Sequence, residues 1–174
     1  LYCFQEGEPT IGTHKRVFVT SQSYNGNLGG LASADATCQA RADAESLGGT
    51  YMAWLSDNSA ANDPESRFTT QSSDPYVLVD GTTKVADHWA DLVDHTIDYP
   101  IIKDETGAYV DGSELVWTNT MFDGTNDSTP CTGGAWGSTG GTGYYGVIGK
   151  PYDGWTDHGS QSCGQTARLY CFEQ

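Results

Sequence analysis

With 174 residues, 37% of them hydrophobic, the chain is sized for one domain with a real core, and no apolar run approaches the roughly 18 residues that a bilayer-spanning helix needs. Eight Lys and Arg against 23 Asp and Glu give a charge of −15, which repels phosphate backbones, sulfated glycans and anionic lipids and excludes nucleic acid and heparin as partners. Five cysteines without C-x-x-C or C-x-x-H spacing argue against a zinc ribbon or thioredoxin-type site and for structural disulfides in an oxidising, extracellular compartment, with one thiol left over.

Residues 1–14 read as an N-terminal arm or linker, polar and broken by Gly and Pro, and 15–174 as the folded domain. No charged start with an apolar stretch and cleavage site opens the chain, so an export signal is expected to have been removed or to lie elsewhere. Arg16 to Thr20 has the β-branched and aromatic content of a buried strand, followed by a turn-rich loop over Asn25 to Gly30. A helix follows, with Ser33 as N-cap, Asp35 in the first turn, an Ala-rich body to Leu47 and Gly48-Gly49 as the stop. Its stripe of Ala34, Cys38 and Ala42 predicts a buried Cys38.

Tyr51 to Leu55 reads as a core strand, Ser56 to Asp74 as a surface loop, Pro75 to Val79 as a strand, and Asp87 to Leu92 as a short helix capped by Asp87. Asp104 to Gly107 and Asp111-Gly112 read as turns flanking a hairpin, and Leu115 to Thr118 as a strand. From Asn119 to Ser162 the chain is rich in Gly, Thr and Ser, a long irregular segment that Cys131, Cys163, Trp136 and Trp155 would pin. Ala167 to Phe172 reads as the closing strand.

Leu31-Ala32-Ser33-Ala34-Asp35-Ala36-Thr37-Cys38-Gln39, Leu47-Gly48-Gly49-Thr50-Tyr51-Met52-Ala53-Trp54-Leu55-Ser56, Val116-Trp117, then Cys131, Trp136, Cys163 and Leu169-Tyr170-Cys171 occur here in the order seen in endostatin domains of collagens XV and XVIII. The chain resembles that family over about residues 16–174, and it is similar still more closely to bacterial surface-exported domains common in spirochaetes, which carry Lys15-Arg16-Val17-Phe18-Val19-Thr20-Ser21 and Ala53-Trp54-Leu55-Ser56-Asp57. The resemblance implies an α+β, C-type-lectin-like (endostatin-like) fold with two short helices, mixed antiparallel strands, long Gly/Thr-rich loops and two disulfides. It also implies the pairs Cys38 with Cys171 and Cys131 with Cys163, the first closing a loop long enough to contribute about 5 kcal/mol in the chain-entropy model. Endostatin's heparin face and zinc site do not carry over, because the charge is wrong and the N-terminus offers only His14. Nor do the sugar-binding triplets of calcium-dependent lectins, which are not found in this sequence.

No G-x-S-x-G and no H-E-x-x-H is present, and Cys3, the free-thiol candidate, has no nearby His, so the expectation is a protein that is not an enzyme. His88, Asp91 and His95 would share a face and hold zinc or copper if the short helix ran that far; otherwise they form a solvated polar face. Asp123, Asn126 and Asp127, and separately Asp57, Asn58, Asn62, Asp63 and Glu65, gather the hard oxygens calcium takes, although ordinary turns use the same residues. Asn126-Asp127-Ser128 fits a glycosylation acceptor. Trp136, Tyr144, Tyr145, Tyr152 and Trp155 would form a ligand platform, or else anchor the loops to their own core. No cofactor is required, and calcium is the metal that the acidic loop would take.

Leu1-Tyr2-Cys3-Phe4-Gln5 nearly repeats Leu169-Tyr170-Cys171-Phe172-Glu173-Gln174. Three readings stay open: the tail of a preceding tandem copy, an arm that adds to a neighbouring subunit with Cys3 as an intermolecular thiol, or an incidental terminus. The functional expectation is an extracellular, cell-surface recognition or adhesion module for a protein or glycan, with a head-to-tail fibre subunit, whose partners are copies of itself, as the alternative.

Overall fold

A computed structural model describes residues 13–69 and 71–174. Arg16 to Val19, apolar on both sides, falls in the strand β1 (Lys15–Val19), and it sits mid-sheet for that reason: Val17 and Val19 point into one core cluster and Phe18 into the other. Its partners are β10 (Tyr170–Glu173), antiparallel, and β4 (Tyr76–Leu78), parallel. β3 (Tyr51–Ala53) beyond β10 and β5 (Lys84–Ala86) beyond β4 complete a five-stranded mixed sheet, ordered β3-β10-β1-β4-β5. β10 alternates in the same way, Tyr170 and Phe172 to one cluster and Cys171 to the other.

α1 (Leu31–Ala44) covers the Phe18 and Cys171 face with Ala34, Cys38 and Ala42, small side chains that let the helix lie close. Cys38 is bonded to Cys171 there, and Cys131 to Cys163 in the loop half. The fold is α+β with mixed sheets and two disulfides, and the described residues form three helices rather than the two expected. The third, α2 (Pro64–Arg67), lies within the stretch read as loop: Asp63 accepts from the Ser66 N–H at 2.9 Å and Pro64 fills the first helical position.

α1 begins at Leu31 after Gly30, so Ser33 is inside the helix and Asp35 is not in its first turn. Instead Asp35 accepts from the Ala53 N–H at 2.9 Å and from the Arg67 guanidinium at 2.6 and 2.7 Å, tying helix, sheet and α2 together. α3 (Trp89–Leu92) is capped by His88, whose Nδ1 accepts from the Asp91 N–H, and not by Asp87, which pairs with Lys84.

The loop half is more regular than its composition predicts. β6 (Leu115–Trp117), β7 (Thr142–Val147) and β8 (Gly159–Ser162) form an antiparallel sheet, and β2 (Tyr24–Asn25) pairs with β9 (Thr166–Ala167). The closing strand is split, because Arg168 leaves the main sheet to exchange hydrogen bonds with Leu115 and Trp117. Glycines let β7 pack: a Cβ on Gly146 would stand 1.8 Å from the Trp155 carbonyl oxygen, and one on Gly143 2.9 Å from the Trp136 ring.

Candidate functional site

The segment 119–162 is held down by its tryptophans. Trp136, at φ 54°, packs on Trp117 with ring centroids 5.3 Å apart and donates from Nε1 to the Ser56 carbonyl at 2.7 Å. Trp155 lies between Trp54 at 5.0 Å and Tyr170 at 5.7 Å. Both are fully buried, in separate clusters, so neither offers a face to a ligand. Buried hydroxyls reinforce the joint: Ser56 and Thr120 share a 2.8 Å hydrogen bond, and Thr118 donates to the Thr156 carbonyl at 2.5 Å.

Of the five aromatic residues expected to form a platform, three therefore keep surface. Tyr144 and Tyr145 are half-buried on β7, with the Tyr145 ring 6.1 Å from that of His158, and Tyr152 is 68% exposed. Beside Tyr152 the His95 ring stacks on Phe122 at 3.6 Å, and its Nδ1 meets Asp153 Oδ1 at 3.0 Å. His95 holds a left-handed backbone, φ 86°, a conformation that histidine adopts at a cost. It lies beyond the end of α3, so His88, Asp91 and His95 share no helical face.

The acidic loop is organised as turns. Asp123 Oδ1 accepts from the Thr125 N–H at 3.0 Å and hydroxyl at 2.6 Å, while the Asn126 N–H donates to Asp63 Oδ2 at 3.2 Å, docking the loop on α2. Asp57 accepts from the Ser59 N–H and the Asn62 amide. Asp123 Oδ1 is thus occupied by protein donors, and no group of three or more His, Cys, Asp or Glu among the described residues is placed to hold a metal ion. Asp127 differs from its neighbours: its Oδ2 is buried without a hydrogen-bond partner, and burial, then the nearby Asp157, pushes its carboxyl above the ordinary carboxylate range. Asp157 is raised too, by burial and then by Asp153.

Phe122 and Asp153 escaped sequence reasoning because they share no motif with the residues they meet. Cys3, the expected intermolecular thiol, lies outside the described residues. No protein-family model matches the chain, and no curated protein matches it.

Proposed function

We propose that the protein is an extracellular, non-catalytic recognition module that engages a surface protein or glycan through the loops of residues 119–162. The observation that carries this reading is the division of labour among the aromatics: Trp136 and Trp155 are buried to brace the loops, while Tyr152 is left outside at 68% exposure. Tyrosine supplies a large contact area with a polar tip and little rotamer entropy to lose, which is what a binding surface needs. Two disulfides fit an oxidising compartment, and no helix among the described residues is long and apolar enough to cross a membrane. The test is a screen of the oxidised chain against arrayed glycans and matrix proteins. Saturable binding that the free chain competes and that Tyr152→Ala weakens supports the reading; retention of neither class overturns it.

A second reading, a head-to-tail fibre or tandem array, is favoured by one observation. Leu169, Tyr170, Cys171 and Phe172 are each fully buried, so the same tetrapeptide at residues 1–4 is a sequence suited to a covered strand. In a tandem array the preceding copy would cover it, with Cys3 bonded to that copy's counterpart of Cys38 as Cys171 is bonded here; in a fibre of separate chains, where Cys38 is already bonded to Cys171, Cys3 would instead form an intersubunit disulfide. Non-reducing electrophoresis separates the two: a ladder that collapses on reduction and is lost in Cys3→Ser supports the fibre.

A further inference from the structure

Tyr99, Tyr109 and Tyr152 are the large hydrophobic side chains left exposed among the described residues, at 38, 69 and 68%. They are far apart in sequence, yet they ride on loop segments stitched to one another. The Ile97 N–H donates to the Pro151 carbonyl at 2.8 Å, Thr96 is bridged to Tyr152, the Gly149 N–H donates to Gly112 at 2.8 Å, and Tyr109 is bridged to Lys103. Ile97, Ile101, Val110 and Ile148, from the same segments, are buried in one core cluster. The layer thus has a fixed apolar underside, and the segments laid over it carry all three exposed rings.

Charge selects what such a layer binds. Five of the eight Lys and Arg side chains, Arg41, Arg67, Lys84, Lys103 and Arg168, are already ion-paired to the protein's own carboxylates. Asp94 and Asp111 stand exposed on the layer, Asp98 is exposed but paired with Lys84 at 3.0 Å, and Asp153 is half-exposed beside Tyr152 with its Oδ1 3.0 Å from His95 Nδ1. Behind Asp153, neither Asp127 nor Asp157 has an ion-pair partner among the described residues; burial raises both carboxyls and each is raised further by a neighbouring carboxylate, so three acids crowd together there, with Lys150 an exposed cation on the same segment. The rings are suited to cations: Lys103 Nζ lies 5.1 Å from the centroid of Tyr109.

We propose that this layer docks a Lys- and Arg-bearing segment of a partner protein, the carboxylates steering it and the open faces of Tyr109 and Tyr152 receiving its cationic groups. The inference rests on the recognition reading and adds to it the class of partner and the residues Tyr99 and Tyr109. Among the described residues no group of three or more His, Cys, Asp or Glu is placed to hold a metal ion, and the layer's carboxylates are spaced as separate side-chain cations would need.

The experiment is calorimetric titration of the full oxidised chain with an end-blocked peptide of alternating Arg and Ser, and with its counterpart carrying Gln for Arg. The Arg peptide binds saturably and more weakly as salt is added, and the Gln peptide does not bind. Tyr109→Ala and Tyr152→Ala each weaken binding roughly two- to five-fold, and Tyr→Phe at either position restores it, since the ring and not the hydroxyl receives the cation. Binding unchanged in both alanine variants identifies diffuse polyelectrolyte attraction and overturns the proposal, as does equal binding of the Gln peptide or none of either. If the peptides fail while an arrayed glycan or matrix protein is still bound, this inference falls and the recognition reading stands; if nothing binds, both fall.

Discussion

The indole Nε1 of Trp54 donates a 2.7 Å hydrogen bond to the hydroxyl of Thr156, 102 residues further on, and that hydroxyl donates in turn to the Thr120 carbonyl at 2.8 Å. All three residues are fully buried, so this one oxygen joins the main sheet to the loop half in a place water does not reach. Thr156→Val keeps the shape and removes the oxygen, leaving a buried N–H without a partner. The expected loss is about 2 kcal/mol in guanidinium unfolding followed by tryptophan fluorescence, with Thr156→Ser costing less. A valine variant within about 0.5 kcal/mol of wild type would show that the joint is held by packing alone.

α1 ends earlier than its glycines suggest. The Leu47 N–H donates to Ala42 at 3.0 Å and the Ser46 N–H to Asp43 at 3.1 Å, the paired bonds of a Schellman end, with Ser46 at φ 56° in the left-handed position that glycine usually fills. Ser46→Gly should therefore raise stability by about 1 kcal/mol, and Ser46→Val should lower it. Thermal unfolding of the two variants reads the sign directly; destabilisation by glycine would mean that the serine side chain contributes more than its strain costs.

What the sequence disclosed and what it hid follow from where each element gets its stability. β1 was legible because Val17, Phe18 and Val19 are apolar on both faces, and α1 because Ala34, Cys38 and Ala42 recur at helical spacing; both patterns are local. β7 was hidden because Gly143 and Gly146 disfavour a strand by propensity and are there for contacts with Trp136 and Trp155, which only the fold supplies. α2 announced itself only through Asp63-Pro64, having no apolar stripe in four residues. The same limit governs the candidate site. A buried bracing tryptophan and an exposed binding tyrosine read alike in a loop, so Trp155 and Tyr152 were grouped although the structure separates them by burial. Tyr99 and Tyr109 joined the surface only through hydrogen bonds to distant segments.

Asp127 and Asp157 set a pH dependence of definite sign. Burial pushes both carboxyls above their ordinary value, with each further raised by a neighbouring carboxylate. Below the unfolded value both states are protonated and these groups contribute nothing; as pH rises past it the unfolded chain releases protons first, and stability falls until the folded carboxyls have ionised. Asp87 and Asp111, lowered by the Lys84 ammonium and by hydrogen bonds from Ser113 respectively, act the other way and stabilise the fold above the acid range. Asp157→Asn removes one partly buried charge and relieves Asp127, so it should stabilise the protein at neutral pH and leave stability unchanged near pH 3, where the carboxyls are protonated. Urea unfolding at the two pH values checks this; an equal gain at both would assign the effect to packing.

The two disulfides should differ in worth, and one glycine should report on the smaller. Cys38 and Cys171 are 133 residues apart, Cys131 and Cys163 only 32, so loop-closure entropy assigns about 5 and about 4 kcal/mol to them. Replacing each pair by alanine and comparing denaturation midpoints should show the larger loss for the first. Gly26 lies against the second bridge, where a Cβ would stand 2.6 Å from Cys131 Sγ and 2.7 Å from Cys163 Cβ. The Gly26 N–H also donates to the Cys163 carbonyl at 2.8 Å, so the backbone cannot move away without losing that bond. Gly26→Ala should destabilise the oxidised protein strongly and cost much less once Cys131 is alanine and Cys163 is glycine, which together remove both sulfurs and the residue-163 Cβ, a coupling that a double-mutant cycle measures. Additive effects would mean that the crowding at Gly26 comes from backbone and not from the sulfur bridge.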